Sequence, residues 1–574
     1  MADPKLAAQL VAPLLRLRQR QTAPLILELD LTDGVGEAPV TDPLSALFAM
    51  RKTRLSDIVE GLRRARGDDR VRALVAKVGG GRIGLARVQE IREAVTGFRE
   101  SGKLAVAWAE TFGEFTHGNL PYYLATAFDR IYLQPSGSVG LTGVAVEQLF
   151  LHDALAKVGI GFESAKRHEY KTAADSLTER GFTPPAREAA ERLAASVAEQ
   201  ISAAIAERRG KTVADARALL DRGPFLAADA LAEGLVDTLA YRDEVYAEVR
   251  RQAGPDAILQ YVVRYQRGHA LAQRARRLPN PRERHVAVIY ASGPIRQGRS
   301  SRGPAGAAIG SDTITAALRA ATADERARAI VLRVNSPGGS AVASDAIWRE
   351  VVRTRAAGKP VVVSMSDVAA SGGYYISMAA DAIVAQPGTL TGSIGVIMGK
   401  PVVADALERA GVTTDSVAEG ARATMLAPTH PFTADEWERI NSWLDAVYRD
   451  FIEKVAAGRR MPVDRVHEIA RGRVWTGADA AGNGLVDELG GLRAATEIAR
   501  RRAGLPADAP LRAYPRPSPL DQLRPPESSE SRPAAAAAAG LGFADGWGPA
   551  WRLAARLGLP PHGPLMLPGR WIIT

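Results

Sequence analysis

The chain contains no cysteine. Disulfides, thiolate nucleophiles and cysteine-ligated metals are therefore excluded. The compartment stays open, because the cytoplasm and a bacterial envelope both accommodate cysteine-free proteins. Lysine is scarce too: only 11 of the 74 basic residues are lysine. Arginine keeps its proton near neutral pH, whereas a desolvated lysine can lose it, so a lysine at a candidate site is informative. Of the 8 histidines, none lies between His285 and His430. No histidine or acidic cluster has ligand spacing, so no metal or other cofactor is expected. No basic cluster is interleaved with aromatics, and the net charge of +10 fits a solvated, arginine-rich surface rather than a nucleic-acid partner.

Long apolar runs are also missing. No stretch reaches the roughly 18–20 continuous apolar residues of a membrane-spanning helix. Leu6–Leu15 comes nearest, but it contains Pro13 and runs into RLRQRQ, the wrong order for a secretory signal. It reads as an N-terminal helix packed on its own domain or a partner, with a surface-lying membrane contact as the alternative. A hydrophobic fraction of 46% over 574 residues is enough for several packed domains.

What the chain does have is a copy of itself. PYYLATAFDRIYLQPSGSVGLTGV, from Pro121, aligns with GYYISMAADAIVAQPGTLTGSIGV, from Gly373, at an offset of 252 residues. The tyrosine pairs, Asp129 with Asp381, Gln134-Pro135 with Gln386-Pro387, and Gly140 and Gly143 with Gly392 and Gly395 all match. GLVD at Gly234 and at Gly484 extends the match at an offset of 250. Such self-similarity marks a tandem duplication. The expected organisation is an N-terminal apolar and basic segment (1–23), a first repeat (24–250), a connection (251–283), a second repeat (284–502) and a Pro/Ala-rich linker with a C-terminal tail (503–574). Trp547, Trp551 and Trp571 in that tail are expected to dock on the body, a membrane or a partner.

Each repeat reads as α/β. HVAVIYASGPI, AIVLRV and KPVVVSM are short β-branched runs, and helices are expected near Ala343–Arg355, Tyr374–Ala380, 184–208 and 434–457. Repeated strand, loop and helix units suggest a layered or spiral architecture.

Two loops of the second repeat could carry chemistry. Asn335–Ser340 (NSPGGS) follows a buried strand, and its glycines let backbone N–H groups face a ligand or an oxyanion. Ser371, in SDVAASGGYY, is expected at a strand-to-helix turn, where the helix dipole favours a developing negative charge. In the first repeat Asn119 stands where the second has Ser371, and VGGGR stands where it has NSPGG. A serine nucleophile needs a base. His430 sits in a loop where a surface histidine is the ordinary case, and Lys359 reads as a surface residue at a helix–strand turn. Lys171, in EYKTAAD, has Ala423 as its counterpart, although Thr172 still pairs with Thr424. Serine only in one repeat and lysine only in the other suggests one composite site with divided labour.

NSPGGS, SDVAASGGYYI, GSIGV and EYKTAAD together closely resemble the motifs of the signal peptide peptidase A (protease IV) family in its long, duplicated form, over about residues 24–500. The resemblance implies a tandem duplication of a Clp protease/crotonase-like fold and a serine endopeptidase with a Ser/Lys dyad. Ser371 would be the nucleophile, Lys171 the general base, and Gly338, Gly339 and Gly372 the oxyanion hole. It further implies cleaved signal peptides or similar apolar unfolded peptides as substrates, and a dome-like homo-oligomer, a tetramer. The expected location is a bacterial cell membrane, or the cytoplasm given that no clear membrane-spanning helix is present. A crotonase-like acyl-CoA enzyme and a non-catalytic scaffold are the competing readings.

Overall fold

Runs such as Val71–Lys77 and Val361–Ala370 are apolar on successive residues rather than alternate ones, the pattern of strands covered on both faces. They form the centres of two parallel sheets in the computed structural model, which describes residues 22–37, 53–80, 83–114, 116–276, 282–303, 306–515, 565–566 and 572–573. The first sheet has six strands in the order Ile258–Tyr261, Leu25–Asp30, Val71–Lys77, Leu104–Ala109, Arg130–Leu133 and Thr238–Leu239. The second repeats that order with Leu511–Tyr514, His285–Ser292, Ala327–Ser336, Val361–Ala370, Ala382–Ala385 and Glu488–Leu489. All these neighbours pair in parallel. The second sheet continues from the far end of Val361–Ala370 through Leu390–Gly392 to Val474–Thr476.

The residues that matched between repeats are largely those that hold this scaffold together. The buried Tyr122 hydroxyl donates to Leu235 O (2.6 Å), and Tyr374 donates to Leu485 O (2.9 Å). Asp129 accepts from the Ala105 N–H and Arg99, as Asp381 does from the Val361 N–H and Arg355. The aspartates of the two GLVD runs accept from the N–H groups of Ile131 and Ile383, each at 2.7 Å. Lys359, read from sequence as a surface residue, is half-buried and ties two carbonyls, Ala321 O (2.8 Å) and Asp324 O (2.7 Å). Lys103 does the same in the first repeat. The short side-chain reach to a fixed carbonyl, not solvation, sets both lysines.

The expected helices are present at Pro184–Arg209, Ala341–Ala356 and Ala434–Arg459, while the one after Ser371 spans only Gly372–Tyr375 and then gives way to turns. Both repeats reach further than their sequence similarity. Ile258–Tyr261 and the helix Val262–Arg276, within the stretch expected to connect the repeats, belong to the first. The Tyr265 hydroxyl donates to Asp68 (2.9 Å), as Tyr514 donates to Asp324 (2.6 Å) in the second. Residues 1–21 and the three tail tryptophans lie outside the described residues.

The repeats are joined by two devices. Gly161–Arg167 of the first pairs antiparallel with Val396–Val402 of the second over seven residues. Arg333, fully buried, bonds Glu37 (2.6 Å) and Glu90 of the first repeat and Ser364 Oγ (2.8 Å) of its own. Burial pushes the Glu37 carboxyl up, but Arg333 together with Ser366 outweighs it and the pKa falls below the ordinary range. For Glu90 burial wins over Arg333 and the pKa rises. Removing one member of such a group strands the others without water, which costs about 3–5 kcal/mol. Arg333→Leu is therefore expected to lower unfolding stability by about that much. Replacing Arg333, Glu37 and Glu90 together by apolar residues should recover most of the loss, both measured by urea unfolding.

Candidate active site

Ser371 closes the strand Val361–Ala370 and opens the helix Gly372–Tyr375, at φ 55° and ψ −113°. A side-chain-bearing residue adopts a left-handed φ only when its surroundings hold it there. Here the Ser371 N–H donates to Gly392 O (2.8 Å) and its carbonyl accepts from the Tyr375 N–H (2.9 Å). The turn thus places the hydroxyl at the end of that strand.

Lys171 arrives from the other repeat, on the loop that follows the cross-paired strand Gly161–Arg167. Its Nζ lies 2.8 Å from Ser371 Oγ and donates to Ser393 O and Ser393 Oγ, each at 2.9 Å. Lys171 and Ser371 are both fully buried. All three bonding partners are neutral oxygens, and burial alone drives the amine well below its ordinary range. The structure therefore brings together, within one chain, the serine and the lysine that the sequence separates by 200 residues. His430, considered as a base, is not among the hydrogen-bond partners described for Ser371.

The reciprocal positions differ as their residue types require. Asn119 turns its amide to Gly143 O (2.7 Å), and Ala423 lies exposed in a turn. Two residues at the site escaped sequence reading. Ser393, itself at φ 50°, fixes the lysine amine. The signal was available: its counterpart at the constant offset is Leu141, a third position of divergence inside the GSIGV run already noted. Gly472, at φ 85°, lies against the lysine backbone, and a Cβ there would sit 2.4 Å from Lys171 N and 2.6 Å from its Cα. No motif pointed to it, because its contact crosses the repeats.

Three glycines were expected to line an oxyanion hole. A Cβ on Gly372 would lie 3.1 Å from both Gly338 Cα and Gly339 N, so the Gly-rich loop stands directly beside the serine turn. The Gly338 N–H, however, is directed at Ser336 Oγ (3.2 Å). Gly338 is thus the one of the three whose N–H has a side-chain acceptor of its own. Among the described residues no cluster of His, Asp or Glu could hold a metal ion.

A serine on a strained strand-to-helix turn, a buried amine on its hydroxyl and glycine amides alongside are the parts of an acyl-transferring hydrolase. The chain belongs to peptidase family S49, whose profile it matches twice, over residues 98–255 and 353–506, and it is a serine-type peptidase. A Clp protease profile matches residues 308–388, the stretch holding both NSPGGS and Ser371, in keeping with the expected tandem Clp-like α/β fold. The chloroplastic serine protease SPPA of Arabidopsis thaliana is 32% identical over 469 residues, covering 81% of this chain and 68% of that protein. Protease 4 of Salmonella typhi is 33% identical over 489 residues, covering 82% of this chain and 77% of its own. A solved mutant ClpP1 from Listeria monocytogenes aligns at 15% identity and a TM-score of 0.24, covering 36% of this chain and 94% of that one.

The depressed Lys171 pKa has a stability signature. An unfolded lysine holds its proton up to a pKa of about 10.4, whereas the buried one releases it lower. Between the two values the unfolded state binds more protons, so wild-type stability falls as pH drops from about 10.4 toward the folded pKa. Lys171→Met lacks that slope. The stability difference between wild type and Lys171→Met should shift toward wild type by up to about 1.4 kcal/mol per pH unit on going from neutral to pH 10, as read by urea unfolding across pH.

Proposed function

We propose that this chain is a serine endopeptidase in which Ser371 is the nucleophile and Lys171 its general base, acting on extended apolar peptides such as cleaved signal peptides. The observation that carries this reading is the buried 2.8 Å contact between Nζ and Oγ. A neutral amine has two N–H groups and one lone pair. Both hydrogens have acceptors on Ser393, which leaves the lone pair for the Ser371 hydroxyl. As Oγ attacks a peptide carbonyl, its proton passes to Nζ. The carbonyl oxygen, now negative, is held by the Gly339 and Gly372 N–H groups, and the ammonium returns the proton to the leaving amine. Water then hydrolyses the acyl-enzyme with Lys171 again as base. Each oxyanion donor is worth roughly 3–4 kcal/mol in such a step.

The substrate class rests on the relatives, among them a putative signal peptide peptidase SppA of Enterococcus faecium, 38% identical over 167 residues. A bacterial membrane is proposed as the location on the family resemblance alone. Among the described residues no helix is long and apolar enough to cross one.

Self-association belongs to the same proposal. In the first repeat, Gly161–Arg167 crosses to the other repeat. Its counterpart at the constant offset, 413–419, forms no strand in this chain, and Val412, Val417 and Leu426 around it are exposed. A second copy offers the cover that the first repeat's segment finds internally, in keeping with homo-oligomers built on repeated contacts.

Ser371→Ala and Lys171→Ala should each lower kcat/KM for an apolar peptide by about 10⁴-fold or more, while Asn119→Ala leaves it near wild type. Wild-type-like turnover by Lys171→Ala would exclude the lysine as base, and acyl-CoA turnover independent of Ser371 would favour a crotonase-like enzyme. Separately, Val417→Asp with Leu426→Asp should reduce the molar mass found by light scattering toward that of one chain. An unchanged mass refutes this surface as the contact.

A further inference from the structure

The strand Gly338–Gly339 beside Ser371 has two partners. On one side Gly339 pairs in parallel with Ile295. On the other, the chain's own C-terminal end pairs antiparallel with it, Met566 opposite Gly338 and Leu565 opposite Gly339. That end also packs against Val396–Val402, the strand that joins the repeats. A few residues on, Ile572 and Ile573 pair antiparallel with Glu147 and Val146 of the first repeat. The tail is thus held at two points, one in each repeat, with the first point at the proposed oxyanion glycines.

An extended peptide binds an open sheet edge through its backbone hydrogen bonds, with side chains pointing alternately to the two faces. An edge made of two glycines offers backbone and little else, which suits a binder tolerant of sequence. Because Gly339 N lies within contact range of the Gly372 position, a strand paired to Gly338–Gly339 runs past Ser371. This is the position a substrate backbone must take for Oγ to reach its carbonyl. The residues that take it, Leu565 and Met566, open the sequence LMLPGRWII, which is largely apolar, like the peptides proposed as substrate. Full burial of both Ser371 and Lys171 agrees with an edge already filled.

We infer that the C-terminal segment containing Leu565–Met566 is a tethered, substrate-like ligand of the Gly338–Gly339 edge, and that external peptides must displace it to reach Ser371. The second half of this statement rests on the peptidase reading, whereas the docking does not. A ligand on the same chain competes at an effective concentration on the order of millimolar, so even a weak intrinsic affinity closes the edge.

The test uses the full chain carrying Ser371→Ala, which binds without turnover, and a fluorescein-labelled synthetic peptide of residues 561–574. Leu565→Pro with Met566→Pro removes two backbone donors and disfavours strand pairing. In the Ser371→Ala background this double substitution should tighten binding of the labelled peptide by about tenfold or more, since the internal competitor is lost. The same prolines placed in the peptide should abolish binding. Equal affinity of the two proteins, or binding to neither, overturns the inference. Hydrolysis of an external apolar peptide by the protein with Ser371 intact is scored separately. If the tail peptide binds as described and hydrolysis is absent, the docking stands and the peptidase reading falls. If hydrolysis is present and the prolines change nothing, the docking falls alone.

Discussion

A lysine amine buried between two halves of one chain is the constraint on which the rest of the structure depends. Lys171 Nζ has only neutral oxygens around it, those of Ser371 and Ser393. An ammonium there would be desolvated with no counter-ion, so the site favours the free base. That condition holds only while the interface between repeats excludes water. The seven-residue antiparallel pairing of Gly161–Arg167 with Val396–Val402 carries the lysine loop into place, and the Arg333 group holds the sheets in register some distance away. Gly472 lets the lysine backbone come close enough for the reach to work.

The duplication explains how such a site can exist. Both repeats keep the residues that build a parallel sheet and lock its connections: the buried tyrosines, the aspartates on backbone N–H groups, and the lysines on carbonyl pairs. Positions with chemical consequence have diverged. Asn119 bonds a local carbonyl where Ser371 meets an amine, and Ala423 is exposed on the chain where Lys171 is buried. The first repeat carries the buried lysine, the second the serine it contacts, and neither holds both.

Much of this was legible in the sequence. The strands and long helices followed from β-branched runs and apolar periodicity, and Ser371 and Lys171 followed from what each repeat lacks. Other parts were hidden for identifiable reasons. The strands Ile258–Tyr261 and Leu511–Tyr514 join their sheets through backbone pairing at an edge, where side chains are weakly specified, so the two share little sequence. Gly472 matters through a contact with another repeat, which no local motif records. Gly338 was grouped with its neighbours by motif, but hydrogen bonding separates them, its N–H going to Ser336 Oγ. Lys359 looked solvated because a turn lysine ordinarily is, yet two carbonyls are close enough to capture it. The C-terminal pairing rests on backbone complementarity with two glycines, for which composition offers no sign.

The composite site stands or falls on the protonation state of one side chain. With 11 lysines in the chain, ¹³Cε labelling and assignment through Lys171→Met would let the Lys171 resonance be followed across pH by NMR. Lys171 is predicted to titrate far below the ordinary lysine range and to be largely neutral at the pH where peptides are cleaved. A Lys171 resonance that titrates with the solvated lysines, near a pKa of about 10.4, would contradict a buried free base at this site.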